Sequence, residues 1–174
     1  MNTKTLVSLS LLVGIGAVLH AIMPPVLFGM KPDMMLTMMF LGILLFPGVK
    51  NVLLLGLTTG AISALTTGFP GGQVPNIIDK PITAFIIFGL LLLVRNVTTV
   101  KTPVAAALTA VGTLVSGIIF LSAAALIVGL PGGLMALIVG VVLPATVVNT
   151  IVMVVVYPIV NSVLKRTSIS AKVS

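Results

Sequence analysis

Cysteine and tryptophan are absent from this 174-residue chain, and acidic residues and histidine are almost absent. Without cysteine there can be no disulfide framework, no thiolate nucleophile and no cysteine-ligated metal. The remaining candidates for such chemistry are one histidine, His20, and two acids, Asp33 and Asp79. Because so few groups cannot form a nucleophile–base pair or a metal-ligand set, an enzyme is the least favoured class, and we expect no metal or cofactor.

Apolar residues are what the chain has in excess. Hydrophobic residues make up 59% of it and charged residues 6%, and the mean hydropathy is +1.36. The apolar runs predict an all-α integral membrane protein, multi-pass in the cell membrane, with one domain over residues 1–174 and the lipid bilayer around it. The six predicted spans are Thr5–Ala21, Met34–Phe46, Val52–Gly68, Ile77–Val94, Val104–Gly129 and Leu134–Leu164.

The charged residues separate by membrane side. On one side of the predicted bundle lie seven basic residues, namely Lys4, Lys50, Arg95, Lys101, Lys165, Arg166 and Lys172. On the other side two lysines balance the two acids. The positive-inside rule therefore places both termini in the cytoplasm. The net charge of +7 is thus a topology signal, and the aromatic or arginine clustering that nucleic acid binding would need is missing.

Polar residues concentrate in two segments on the predicted outer face. The first outer loop and the segment that follows the third span carry, in chain order, Lys31, Asp33, Gln73, Asn76, Asp79 and Lys80. Opposite charges at one face suit an amino acid zwitterion, whose carboxylate needs a cation and whose ammonium needs a carboxylate. A structural alternative is that Asp33 caps the second span and that Asn76-x-x-Asp79 is a capping box opening the fourth.

Two more polar side chains lie inside the predicted spans. His20 is near the outer end of the first span, one loop away from the charged residues, and is either a packing residue or a ligand contact. Asn149 is mid-span in the sixth, five residues beyond Pro144. A polar group at that depth must be hydrogen-bonded, so Asn149 is either a link between helices or the floor of a binding site.

The second predicted span is short and rich in methionine. Its thirteen residues would make a helix of about 20 Å, against roughly 30 Å of hydrocarbon. Protein must therefore shelter its outer end, or the membrane is thinned there. Four of its first six residues are methionine, with Met34 and Met38 among them. Such side chains suit an adaptable pocket or a moving contact, and they equally suit ordinary packing in the core or against lipid.

The first span has one face of small residues. Ser10, Gly14, Ala17 and Ala21 recur at spacings of four, three and four, which aligns them along one side of a helix. A face of this kind lets another helix approach closely. That helix can belong to a partner protein or to the chain itself.

Three segments carry a resemblance to a known family. The runs Ser8–Pro25, Lys31–Met34 and Phe69–Lys80 resemble the TrpP family of tryptophan-specific substrate-binding subunits (S components) of energy-coupling factor (ECF) transporters. The resemblance covers essentially the whole chain. It implies a six-helix S-component fold that binds tryptophan in an outward-facing pocket. It also implies a transmembrane coupling subunit and two ATPases as partners, which fits the lack of a Walker A motif in this chain.

The resemblance also implies roles for several residues. In that family an Ala-x-x-x-Ala motif of the first helix contacts the coupling subunit, and its counterparts here are Ser10 and Gly14, with Ala17 on the same face. The first outer loop is expected to be a lid over the pocket and the methionine-rich span its moving wall. The expected gating residues are Pro24, Pro25, Gly29, Met34 and Met38.

Two other transport functions stay open. An S component could bind another small ligand, such as a vitamin, because one fold serves many substrates. A self-sufficient secondary carrier would usually show inverted repeats and broken helices at the midplane. The weak repeat in this chain, Ala64–Gly72 against Ala125–Gly133, instead predicts two spans that run in the same direction.

Overall fold

Six helices form the part of the chain that the computed structural model describes, residues 3–24 and 31–166. They are α1 Thr3–Ile22, α2 Met34–Leu45, α3 Val49–Thr66, α4 Gln73–Arg95, α5 Thr102–Ile127 and α6 Leu134–Arg166. Five of them are long and apolar enough to cross a membrane, and α2 is a shorter apolar helix. The predicted all-α membrane bundle is confirmed.

The short helix α2 occupies the centre of the bundle. All twelve of its residues are buried, and it packs against each of the other five helices. The prediction that protein shelters this helix is therefore confirmed, and lipid-facing packing is excluded for its methionines. Asp33 begins the helix by accepting a hydrogen bond from the Leu36 N–H at 3.1 Å, so the predicted cap at this position is also confirmed.

Helices α3 and α4 approach each other closely through glycine. A Cβ atom on Gly56 would lie 2.9 Å from the Pro81 Cα, and one on Gly60 would lie 3.3 Å from the Asn76 carbonyl oxygen. Small residues four apart let two helix backbones come into contact. This contact holds the first turns of α4 against α3. It thereby fixes the position of Lys80, which lies between Asn76 and Pro81 in the sequence.

The start of α4 differs from the sequence prediction. The helix begins at Gln73, after a turn in which Gly71 has φ +72°. Asn76 and Asp79 therefore lie inside the helix, and the predicted capping box is wrong. Pro75 falls in the first helical turn, where a missing N–H costs nothing because no carbonyl precedes it in the helix.

Helix α6 contains a wider turn near its start. Residues Leu134–Leu137 are α-helical, Ile138–Val142 are π-helical and Leu143–Arg166 are α-helical again. The Leu143 N–H donates to the Ile138 carbonyl, five residues back. Pro144 follows directly and has no N–H to continue an α-helical pattern. Single π turns of this kind often occur at functional sites.

Helix α1 packs through one side only. Leu9, Leu12, Gly16 and His20 are buried, whereas Ser10 and Gly14 are exposed and Ala17 is partly buried. A Cβ atom on Gly16 would lie 3.0 Å from the Met38 Cβ, but one on Gly14 would meet nothing within 4 Å. Within the described ranges, the chain's own helices do not cover Ser10 or Gly14.

Candidate functional site

A cavity opens at one end of the bundle and has two chemically different walls. Helices α1 and α4 and the segment that precedes α2 supply the polar wall, which consists of His20, Lys31, Asp33, Asn76 and Lys80. The turn after α3 and helices α5 and α6 supply the largely apolar wall, which includes Phe69, Phe120, Val141, Val142 and Ala145. The two segments that the sequence placed on one membrane face do meet in one cavity.

Lys80 is the centre of the polar wall. Its Nζ lies 2.6 Å from Asp33 Oδ2 and 2.7 Å from Asp79 Oδ2, and the side chain is 3% exposed. Burying a charge is unfavourable unless it is paired and hydrogen-bonded, and two carboxylates satisfy that need here. Because Asp33 precedes α2 and Lys80 belongs to α4, the ion pair ties the start of the central helix to α4.

Asp79 lies behind Lys80 and does not line the cavity. Its Oδ2 accepts hydrogen bonds from Lys80 Nζ and Ser116 Oγ, each at 2.7 Å, and its Oδ1 accepts one from Thr83 Oγ1 at 2.7 Å. The carboxylate is fully buried and has donors on both oxygens. Asp79 therefore fixes the position of the Lys80 ammonium from the side away from the cavity.

Asp33 is the more accessible of the two acids, with 19% of its side chain exposed. Burial raises the pKa of Asp33, but the positive charge of Lys80, the nearby His20 and hydrogen bonds from Lys80 and Leu36 outweigh it. The pKa of Asp33 consequently lies below its ordinary value, and the group is a carboxylate at neutral pH. The cavity thus presents one anion beside one cation.

His20 and Lys31 complete the polar wall. Lys31 Nζ donates to the His20 carbonyl at 3.1 Å, which holds the segment before α2 against the end of α1. His20 Nδ1 lies 3.6 Å from Asp33 Oδ1, beyond hydrogen-bond distance, and is buried without a hydrogen-bond partner among the described residues.

Asn149 is fully buried and lies where α5 and α6 meet at the cavity. Its Nδ2 donates to Thr113 Oγ1 at 3.3 Å. Its Oδ1 is buried and has no hydrogen-bond partner within the described ranges. Asn149 thus links two helices and also borders the cavity, and its role in binding stays a prediction.

Two phenylalanines meet at the apolar wall. The rings of Phe69 and Phe120 are 5.3 Å apart between centroids and 82° apart in plane, an edge-to-face pair. Such pairs form stable apolar surfaces. The cavity as a whole suits a molecule that has charged groups at one side and an apolar ring at the other.

Most of the substrate-binding residues predicted from the sequence border this cavity. Six of the eight do so, namely His20, Lys31, Asp33, Asn76, Lys80 and Asn149. The structure places Asp79 behind Lys80, and Gln73 is exposed at the start of α4, outside the cavity lining.

The predicted gating residues do not line the cavity where they are described. Met34 and Met38 are packed in the core, and Pro24 is exposed after α1. Leu36 is the α2 residue that borders the cavity. Pro25 and Gly29 lie outside the described residues, so the predicted lid stays a prediction.

Helix α5 also contributes to the cavity, and this was not predicted from the sequence. Thr113, Ser116, Gly117 and Phe120 all border the cavity. A signal for this face was present, because Thr109, Thr113 and Ser116 recur at helical spacing in an otherwise apolar span, and all three are buried. Polar side chains at such depth mark either helix contacts or a binding site.

Known proteins resemble the chain over nearly its full length. Residues 2–165 match the family described as Tryptophan transporter TrpP. A probable tryptophan transport protein of Bacillus subtilis is 62% identical over 168 residues, which cover 97% of this chain and 96% of that protein. Proteins described in the same words are 45% identical in Clostridium acetobutylicum (87% and 88% covered) and 39% identical in Clostridium perfringens (97% of each). No solved structure matches the chain.

Proposed function

Because the chain belongs to the TrpP family of tryptophan transporters, we propose that it binds tryptophan in the two-walled cavity and acts as the S component of an ECF importer. The observation that carries the proposal is the pairing of Lys80 and Asp33 on one wall, opposite an apolar wall with an aromatic pair. The cavity thereby offers a cation, an anion and a ring surface in a single site.

Binding would proceed by exchange of ion pairs. The tryptophan carboxylate takes a hydrogen bond from Lys80, and the ammonium donates to Asp33, so one internal ion pair becomes two pairs with the ligand. Asp79 keeps Lys80 in place during the exchange. The indole then packs against the apolar wall, where burial of a large ring contributes most of the apolar binding energy.

The same exchange gives binding a structural consequence. The Asp33–Lys80 contact ties the start of α2 to α4. When the ligand separates these two side chains, the segment before α2 loses one of its attachments, while the contact of Lys31 with His20 remains. This is the means by which substrate would act on the predicted first-loop lid.

Transport would require partner proteins. The exposed part of the small face of α1, Ser10 and Gly14 with Ala17 beside them, is the proposed docking surface for the coupling subunit. Two ATPases supply the energy, since the chain has no phosphate-binding motif of its own. The charge bias places the cavity on the extracellular side and the basic chain segments in the cytoplasm.

Tryptophan fluorescence provides a direct test of binding. The chain contains no tryptophan, so the indole emission of a pure sample comes from ligand alone. Added tryptophan should show blue-shifted emission that saturates at one equivalent. Indole-bearing analogues should displace it, whereas leucine and riboflavin should not. An unshifted spectrum across the whole titration, with protein whose helical circular dichroism is intact, would overturn the proposal.

A further inference from the structure

One polar residue interrupts the part of the cavity wall that α6 supplies. The α6 residues that border the cavity are Val141, Val142, Ala145 and Asn149. The first three offer only hydrocarbon to a ligand. The charged residues of the described cavity lining are Lys31, Asp33 and Lys80, which lie on the opposite wall, on α4 and on the segment that precedes α2. Asn149 is therefore the sole polar side chain among the described α6 residues that line the cavity.

The Asn149 amide is oriented by its neighbour on α5. Its Nδ2 donates to Thr113 Oγ1 at 3.3 Å, so the amide nitrogen is occupied by a contact between helices. The oxygen is left as an acceptor, buried and without a partner among the described residues. A buried acceptor with no donor is unfavourable, and a ligand donor placed there would relieve that cost.

An indole ring presents a single donor and no acceptor, as the tryptophan side chain shows in proteins. Among the described side chains of the apolar wall, Asn149 Oδ1 is the single buried acceptor without a partner. Building on the proposed binding of tryptophan, we infer that Asn149 Oδ1 accepts the hydrogen bond of the indole N–H and thereby selects tryptophan over ring systems that lack this donor. Lys80 and Asp33 would bind the charged groups of the zwitterion, and Asn149 would recognise the indole ring.

The inference is tested by removing the donor from the ligand and the acceptor from the protein. Benzothienylalanine has the shape of tryptophan but carries sulfur in place of the indole N–H. The parent protein should bind tryptophan about ten- to a hundredfold more tightly than this analogue, as expected when a buried acceptor loses its partner. Equilibrium dialysis of the purified protein measures both affinities.

In the Asn149→Leu variant the preference should disappear. Tryptophan should fall to the affinity of benzothienylalanine, and the affinity for benzothienylalanine should stay within about threefold of the parent value. Asn161→Leu is the matched control, because Asn161 lies on the same helix, also has a buried amide oxygen without a described partner, and does not border the cavity. It should keep the full preference for tryptophan.

Several outcomes would overturn the inference. One is equal binding of tryptophan and benzothienylalanine by the parent protein, a measurement that needs no variant. Another is an Asn149→Leu variant that keeps the preference. If that variant fails to fold, Asn149→Ser replaces it, because serine keeps a polar group that is too short to reach the ring. A retained preference for tryptophan in Asn149→Ser would also overturn the inference. Failure of the parent to bind tryptophan at all would instead overturn the proposed function.

Discussion

Asp79 shows how a single residue can control the cavity without bordering it. Its carboxylate accepts hydrogen bonds from Lys80, Ser116 and Thr83 and is fully buried. Lys80 has a second carboxylate in Asp33, which would be drawn towards the ligand ammonium on binding. Asp79 is then the anion that keeps the ammonium of Lys80 at its position in the occupied site.

Replacing Asp79 should therefore weaken binding from a distance. Asp79→Asn removes a charged hydrogen bond worth about 1.5–3 kcal/mol, so we expect tryptophan affinity to fall about ten- to a hundredfold in the fluorescence titration. Thr83→Val is the control, because it removes a hydrogen bond from an uncharged donor to the same carboxylate and leaves the ion pair of Asp79 with Lys80, so it should change affinity by only a few-fold. Unchanged affinity in Asp79→Asn would mean that Lys80 is held without it.

At this scale the sequence supplied the charges but not their pairing. Opposite charges on one face predicted a zwitterion site, and six of the eight predicted residues border the cavity. The sequence could not separate Asp33, which faces the cavity, from Asp79, which lies behind Lys80. That distinction depends on the start of α4 at Gln73, which turns Asp79 and Lys80 to particular sides of a helix packed on α3.

At the scale of helices, α1 offers two glycines with opposite surroundings. Gly16 faces α2 and lies against Met38, whereas a Cβ atom on Gly14 would meet no described atom within 4 Å. The helices themselves were predictable, because long apolar runs have few other stable forms in a membrane. The side of α1 that packs against the bundle was not predictable from the sequence, since nearly every residue of the span is apolar or small.

Substitutions at these two glycines should distinguish an effect on partner docking from an effect on stability. Gly14→Leu should leave tryptophan binding and thermal stability close to parent values but abolish uptake, because the new side chain keeps a partner helix at a distance. Gly16→Leu should lower the melting temperature of the purified protein, because a Cβ atom at this position would lie only 3.0 Å from the Met38 Cβ. Normal uptake by Gly14→Leu would remove this face from the proposed docking surface.

At the scale of the whole molecule, binding and transport should be separable. Proteoliposomes that hold this chain alone should bind tryptophan without accumulating it, because the chain has no motif for binding nucleotide phosphates. Addition of the coupling subunit, the two ATPases and ATP should start accumulation, measured with labelled tryptophan. Accumulation by the chain alone in an ion gradient would favour the secondary carrier instead.

The central position of α2 has a consequence for how the protein is made. A helix of twelve residues extends about 18 Å, less than the roughly 30 Å thickness of the hydrocarbon core, and in the finished bundle every one of its residues is covered by protein. Yet α2 leaves the ribosome before α4, α5 and α6 exist. The nascent chain must therefore hold α2 between α1 and α3 until the later helices arrive. Synthesis that stops before α5 would therefore leave α2 partly uncovered, because α5 and α6 both pack against it in the complete bundle.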